Sequence, residues 1–209
     1  MARTRLFGEP GWGSTIVEAQ LAWYGFDYDF ERVGDLFASA DAREKVGALN
    51  PLAQIPTLVL EDGEVMTESA AITLHLADLA GSDTLVPPPG DPARPKFLRW
   101  LVFLVANVYP TYTFADDPSR FVAEASAQPG FKDAVTAHAK RLYSLLDGAA
   151  DAPWFLGERF SAIDLYVTTM TRWRPGRPWF EAHTPKLASI ARAAESVPRL
   201  EAVWRRNFA

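Results

Sequence analysis

A chain of 209 residues has room for one large domain or two small ones. With 48% hydrophobic and 22% charged residues and no cysteine, it is neither a disordered chain nor a protein with disulfides, thiolate zinc sites or a redox-active thiol of its own. The net charge of −5 argues against a nucleic-acid partner, and it is unevenly spread: residues 1–80 carry 5 Lys/Arg against 13 Asp/Glu, residues 81–209 carry 16 against 13. Two compositional halves suggest two domains.

Arg3 and Arg5 are followed only by Leu6 and Phe7 before Gly8-Glu9-Pro10, short of the roughly 7–15 apolar residues of a secretory signal. The densest apolar stretch, Trp100 to Val108, is far below the ~20 residues of a membrane span. No membrane partner is expected, and the cytoplasm is the default compartment. Thr4–Phe7 reads as a strand running into the Gly8-Glu9-Pro10-Gly11 turn. Ser14 or Thr15 then caps a helix with Glu18 as an early acid, stopped by Gly25. Alternation through Tyr28, Phe30 and Arg32 gives a second strand, and Ala40–Leu49 a short helix ending at Asn50-Pro51. Thr57–Leu60 and Glu64–Thr67 flank Asp62-Gly63, a hairpin signal, because that dipeptide accepts positive φ. Ser69 to Leu79 is a helix ending at Gly81.

Strand, helix, strand, helix, hairpin, helix is the thioredoxin-like plan. Ser82–Pro92, with Pro87-Pro88-Pro89-Gly90, is a stiff connector that cannot propagate a helix. Beyond Asp91 the pattern is helical: Phe97–Val108, Val135–Leu146, Ser161–Trp173, Ala188–Glu195 and Leu200–Phe208. Pro110 is expected to kink or end its helix. The expected fold is therefore α+β: a thioredoxin-like domain at 1–80, a linker at 81–92 and an all-α domain at 93–209.

Three motifs carry chemistry or its scaffolding. In Asn50-Pro51-Leu52-Ala53-Gln54-Ile55-Pro56-Thr57, a proline entering a strand sits at its start or edge. A trans Ile55–Pro56 bond is the commoner state. A cis bond would turn the Ile55 N–H and C=O outward to pair with an extended peptide. In Glu68-Ser69-Ala70-Ala71-Ile72, Ser69 and Glu68 are either helix-capping residues or an anion site with an acid beside it for an ammonium. In Gly157–Asp164, Ser161 and Asp164 have capping-box spacing, with Phe160 placed to staple on Leu165.

Asn-Pro, Gln-Ile-Pro-Thr-Leu, the Asp-Gly hairpin, Glu-Ser with Ala-Ile, the proline-rich linker and the late Ser…Asp helix start together resemble the cytosolic glutathione S-transferases, most closely bacterial members. The resemblance runs nearly the whole chain in order. It implies glutathione as co-substrate, no metal, and a homodimer acting in detoxification. Ile55, before Pro56, would pair its backbone with the cysteinyl unit. Glu68 and Ser69 would hold the γ-glutamyl end, with Gln54 beside them. A small apolar electrophile would sit between the domains against aromatic side chains, with Trp12, Phe103, Tyr109, Tyr112 and Phe114 as candidates. The Arg172–Arg177 turn is either a solvated loop or a reach toward an anionic substrate.

The catalytic group departs from the family pattern. Related bacterial enzymes carry a Tyr directly after the first strand, where this chain has Gly8. Where they carry a Cys or Ser at the head of the first helix, it has Gly13. Ser14 is the nearest hydroxyl and the expected thiol activator, with Thr15 behind it; its other reading is a helix cap. Two functions of different class follow: a glutathione transferase with an unusual activating residue, or a non-catalytic binding protein for glutathione or an apolar ligand that kept the fold; a disulfide-exchange or isomerase role within the family is a third, and it could not use a protein cysteine.

Overall fold

The computed structural model describes residues 3–209. Packing divides the chain into two compact units: one runs to Pro88 and takes in Ala193–Ala209, the other is Pro89–Arg192.

In the first unit, β1 (Thr4–Gly8), α1 (Ser14–Tyr24), β2 (Tyr28–Arg32), α2 (Ala40–Gly47), β3 (Thr57–Val59), β4 (Val65–Met66) and α3 (Ser69–Ala80) follow in order. The sheet order is β2-β1-β3-β4, with β1 and β2 parallel and the other pairs antiparallel. Alternation along each strand sends alternate residues to opposite faces. On one face Leu6 and Leu58 pack with Val17 and Leu21 of α1 and Ile72 and Leu76 of α3. On the other, Phe7 and Val59 pack with Val33, Leu36 and the α2 residues Ala42 and Val46. Three layers result. The hairpin strands are shorter than the sequence suggests, because Leu60 N–H already turns back to Glu64 C=O at 2.9 Å and Gly63 takes φ +93°.

Register fixes which ends of the strands meet. Phe7 lies opposite Thr57 and Leu58 opposite Met66, so the end of β1, the start of β3 and the end of β4 share one edge. Loop 9–13, Ile55 and Glu68 all leave the sheet there. The last helix, α10 (Glu201–Phe208), is part of this unit, where it packs on α1.

The second unit contains α4 (Arg94–Phe103), α5 (Tyr109–Asp116), α6 (Gln128–Ala149), α7 (Ala162–Met170), α8 (Arg177–His183) and most of α9 (Pro185–Glu195). Pro110 does not end its helix. A π-helical turn at Leu104–Val108 re-registers the backbone just before it, and the proline falls in the first turn of α5. The cation-dense turn is followed at once by α8, whose first turn holds Pro178. Asp164 carries the start of α7: its carboxylate accepts from the Ser161 N–H at 2.7 Å, the Ser161 hydroxyl at 3.0 Å and the Phe155 N–H at 2.8 Å. Burial pushes its carboxyl up to about 7 despite those bonds. Phe160 packs edge-on against Trp154 at 4.8 Å between ring centroids.

Candidate functional site

The Ile55–Pro56 bond is cis, not the commoner trans form. The loop before it is built by two side chains the motif reading did not weigh. Buried Asn50 donates to the Gln54 C=O at 3.0 Å and to Thr57 Oγ1 at 3.3 Å, and accepts from the Leu52 N–H at 3.1 Å. The Thr57 hydroxyl closes the ring on Gln54 C=O at 2.8 Å. With Gln54 C=O so engaged, Ile55 is held half-buried, and among the described residues neither its N–H nor its C=O has a hydrogen-bond partner. The exposed Gln54 carboxamide has none either.

Glu68 and Ser69 do not cap α3. Glu68 takes φ +60°, ψ 97°, a conformation that L residues rarely adopt and that costs on the order of 1–3 kcal/mol. Among the described residues its exposed carboxylate makes no ion pair, and its one hydrogen bond is from the Thr67 hydroxyl at a marginal 3.5 Å. Ser69 is the first helical residue, with its hydroxyl unpartnered among the described residues, and the first α3 N–H to find a carbonyl is that of Ile72, on Glu68 C=O. A free anion, a free hydroxyl and uncapped N–H groups therefore stand together at the head of a 12-residue helix.

The hydroxyl expected to face a thiol is engaged elsewhere. Ser14 is fully buried, donates to the Glu9 C=O at 3.1 Å and accepts from the Glu9 N–H at 3.1 Å. It is the first residue of α1, and the Gly13 cap supplies no side chain. Gly8 is bare for a packing reason: a Cβ there would lie 2.4 Å from both Ser14 Cβ and Oγ. The space a tyrosine would need is occupied by Ser14. The Glu9 carboxylate ties the same turn to β2, accepting from Arg32 Nε at 2.8 Å, Arg32 Nη2 at 2.5 Å and the Gly34 N–H at 2.9 Å. Thr15, also buried, donates to Asn207 Oδ1 at 2.7 Å. Trp12 is half-buried on the apolar cluster that also holds Ile55, its ring centroid 5.3 Å from that of Phe37. So Trp12, Ile55, Pro56 and Gln54 lie around the sheet edge from which Glu68 and Ser69 also emerge, while Ser14 sits beneath it.

Glu18 is not an early-turn acid but a buried carboxylate inside α1. It accepts from Tyr28 OH at 3.1 Å, from Asn207 Nδ2 at 2.8 Å and from Arg206 Nη1. Burial, then the Glu18 charge, push the Tyr28 phenol up to about 12, which keeps it a proton donor. The partners lie at opposite ends of the chain, so no local pattern announces them.

In the helical unit, Tyr109 and Tyr112 stand edge-on to Trp173 at 5.8 and 5.0 Å between centroids. The Tyr112 hydroxyl is committed internally: it donates to the Arg174 C=O at 2.9 Å and accepts from Tyr143 OH. Arg174 pairs with Asp116, not with solvent alone. Phe103 packs edge-on to Trp100 at 4.9 Å, and Phe114 to Phe121 at 4.9 Å, with Phe114 37% exposed.

Comparison with known proteins adds an independent line. The family model described as glutathione S-transferase, N-terminal domain, matches residues 14–79. The chain is 42% identical over 204 residues to the uncharacterized GST-like protein YncG of Escherichia coli K12, covering 97% of this chain and 98% of that protein. It is 28% identical over 172 residues to glutathione S-transferase GstA of Escherichia coli O157:H7, 81% of each chain. Among solved structures, a glutathione transferase homologue from Sulfitobacter with bound glutathione superposes at TM-score 0.89 and 24% identity over the whole of both chains, which speaks for the fold. A sphingomonad glutathione S-transferase complexed with glutathione matches at TM-score 0.76 and 26% identity, covering 98% of this chain and 100% of that one. Identity of 42% over nearly the full length of a GST-like protein, joined to this fold, establishes that the chain belongs to the glutathione S-transferase family.

Proposed function

We propose that this protein binds glutathione at the shared sheet edge of its first unit and adds its thiolate to a small apolar electrophile. The observation that carries the reading is Glu68, an unpaired carboxylate kept in a costly backbone conformation beside the free Ser69 hydroxyl. An α-amino acid group, with ammonium and carboxylate on one carbon, matches that pair: the ammonium on Glu68, the carboxylate on the Ser69 hydroxyl and the first N–H groups of α3. The unpartnered N–H and C=O of Ile55 suit the backbone of a cysteinyl unit in extended pairing. Gln54 is placed to assist, and Trp12 to lie against the sulfur side.

Thiol activation in this reading falls to loop 9–13 in place of the Ser14 hydroxyl. Among the described residues the N–H groups of Gly13 and Ser14 and the Trp12 indole N–H lack hydrogen-bond partners. A free thiol of pKa near 8.5 is about 3% ionised at neutral pH, so lowering it by two units would raise the thiolate roughly 25-fold at ~2.7 kcal/mol. Oriented N–H donors at a helix start are of the right sign to contribute.

The engaged Ser14 hydroxyl and the filled space at Gly8 favour a second reading, in which glutathione or an apolar ligand is bound but not conjugated. A titration with glutathione paired with a panel of apolar electrophiles separates the two. Binding with turnover of at least one electrophile supports the transferase; binding without any supports the second reading; no binding refutes both. We further propose a cytoplasmic homodimer. Leu79 of α3 and Val102 of α4, 56% and 55% exposed, are apolar surface suited to burial against a second copy. A light-scattering mass near 23.1 kDa at micromolar concentration would refute it.

A further inference from the structure

The buried network at the end of the chain has no counterpart in the site just described, yet it touches that site's least ordinary segment. Asn207, 8% exposed on the last turn of α10, has all four hydrogen-bonding positions of its carboxamide filled. Its oxygen accepts from the Gly11 N–H at 3.0 Å and the Thr15 hydroxyl at 2.7 Å. Its nitrogen donates to Glu18 Oε2 at 2.8 Å and to the Val203 C=O at 2.9 Å. Glu18, fully buried, is neutralised by Arg206 of the same helix. Gly11 takes φ +79° and approaches α10 so closely that a Cβ would lie 3.2 Å from the Asn207 backbone oxygen.

Loop 9–13 is thus held at two points of different kind. Ser14 and Glu9 fix its start against β1 and β2, and Asn207 fixes its middle, one residue before Trp12. A carboxamide can do this where a carboxylate or an apolar residue cannot. Gly11 and Thr15 require an acceptor, while the Glu18 anion requires a donor on the same group. We infer that Asn207 is a positioning residue for the thiol end of the glutathione site, setting where Trp12 and the free N–H groups of Gly13 and Ser14 stand. This inference rests on the glutathione reading above. It predicts that removing the amide disturbs the sulfur and leaves the γ-glutamyl end alone, because Glu68 and Ser69 belong to a different helix.

The test uses the full-length protein with two probes, glutathione and S-methylglutathione, which lacks the ionisable thiol. Ultraviolet absorbance of bound thiolate against pH gives the apparent thiol pKa; calorimetry gives affinity. In Asn207→Ala the bound-thiol pKa should rise by about half a unit or more while S-methylglutathione affinity stays within about twofold. Should Asn207→Ala fail to fold, Thr15→Val removes one donor from the same oxygen, and a smaller rise of the same sign is expected. A thiol titration in the folded variant that superimposes on the wild type overturns the inference, as does an equal loss of affinity for both probes. Failure of the underlying glutathione reading is seen separately, as absence of binding in the wild type.

Discussion

Gly8→Ala is the substitution whose outcome the packing specifies most sharply. The added methyl would sit 2.4 Å from Ser14 Cβ and Oγ and 3.1 Å from Phe30 Cε2. Carbon atoms rest at about 3.5–4.0 Å, so more than about 1 Å of overlap must be relieved. Ser14 is fully buried and pinned by two 3.1 Å bonds to Glu9, so it cannot turn away without breaking them. Overpacking typically costs about 1–3 kcal/mol, and each lost hydrogen bond about 1 kcal/mol. A loss of about 2–4 kcal/mol in urea unfolding free energy is expected. Ser14→Ala keeps the clashing Cβ, so it should not rescue Gly8→Ala; Ser14→Gly removes the obstacle. The double variant Gly8→Ala/Ser14→Gly should be little worse than Ser14→Gly alone, a coupling of about 2–4 kcal/mol, nearly the whole cost of Gly8→Ala. If Gly8→Ala unfolds within about 0.5 kcal/mol of wild type, or if the two costs simply add, the packing argument for glycine at this position is wrong.

Other expectations follow from the same geometry. Asn50→Ala removes the three side-chain bonds that shape the loop before Ile55, and should cost about 1–3 kcal/mol and weaken glutathione binding measured by calorimetry. Arg206→Met leaves the Glu18 carboxylate buried without its cation. Because Arg206 is 47% exposed the loss should be about 1–3 kcal/mol, below that of a fully buried pair, and Arg206→Met/Glu18→Met should recover part of it in denaturant melts. Asp164 has its native pKa raised to about 7, so its stabilising contribution is complete below its unfolded pKa and declines as pH rises toward and through 7. Subtracting the Asp164→Asn unfolding profile from that of wild type should show this fall between about pH 4 and 7, levelling off above; a difference flat with pH would contradict it.

The order of elements in the first unit was legible because its signals are local. Alternation marked β2, Asp62-Gly63 the hairpin, and Gly25 and Gly81 the helix ends, both of which take positive φ. Ile55-Pro56 and Glu68-Ser69 were legible as motifs, but their states were not. Nothing in a sequence distinguishes a cis from a trans proline, or a capping Glu-Ser pair from one held open at φ +60°. Ser14 misled for a physical reason. A serine at a helix start is as suited to reaching back to the preceding turn as to facing outward, and the bare Gly8 beside it decided the matter. The helix after Pro110 was missed because a π turn upstream absorbed the proline, and α8 because its Arg172–Arg177 lead-in is dense in turn residues. Asn207 and Glu18, 189 residues apart, meet only in the folded chain.

The measurement that bears most directly on the glutathione assignment is calorimetric titration of glutathione into wild type, Glu68→Ala and Glu68→Gly, with unfolding free energies taken on the same samples. Alanine removes the carboxylate and keeps the unfavourable backbone; glycine removes both the carboxylate and the strain. Losing a charge-assisted contact at an exposed site should weaken binding about tenfold or more in both variants. Glu68→Gly should at the same time be more stable than Glu68→Ala by about 1 kcal/mol. Weaker binding together with that gain in stability is the predicted result. Glutathione affinity unchanged in Glu68→Ala would contradict the account, whatever the stabilities show.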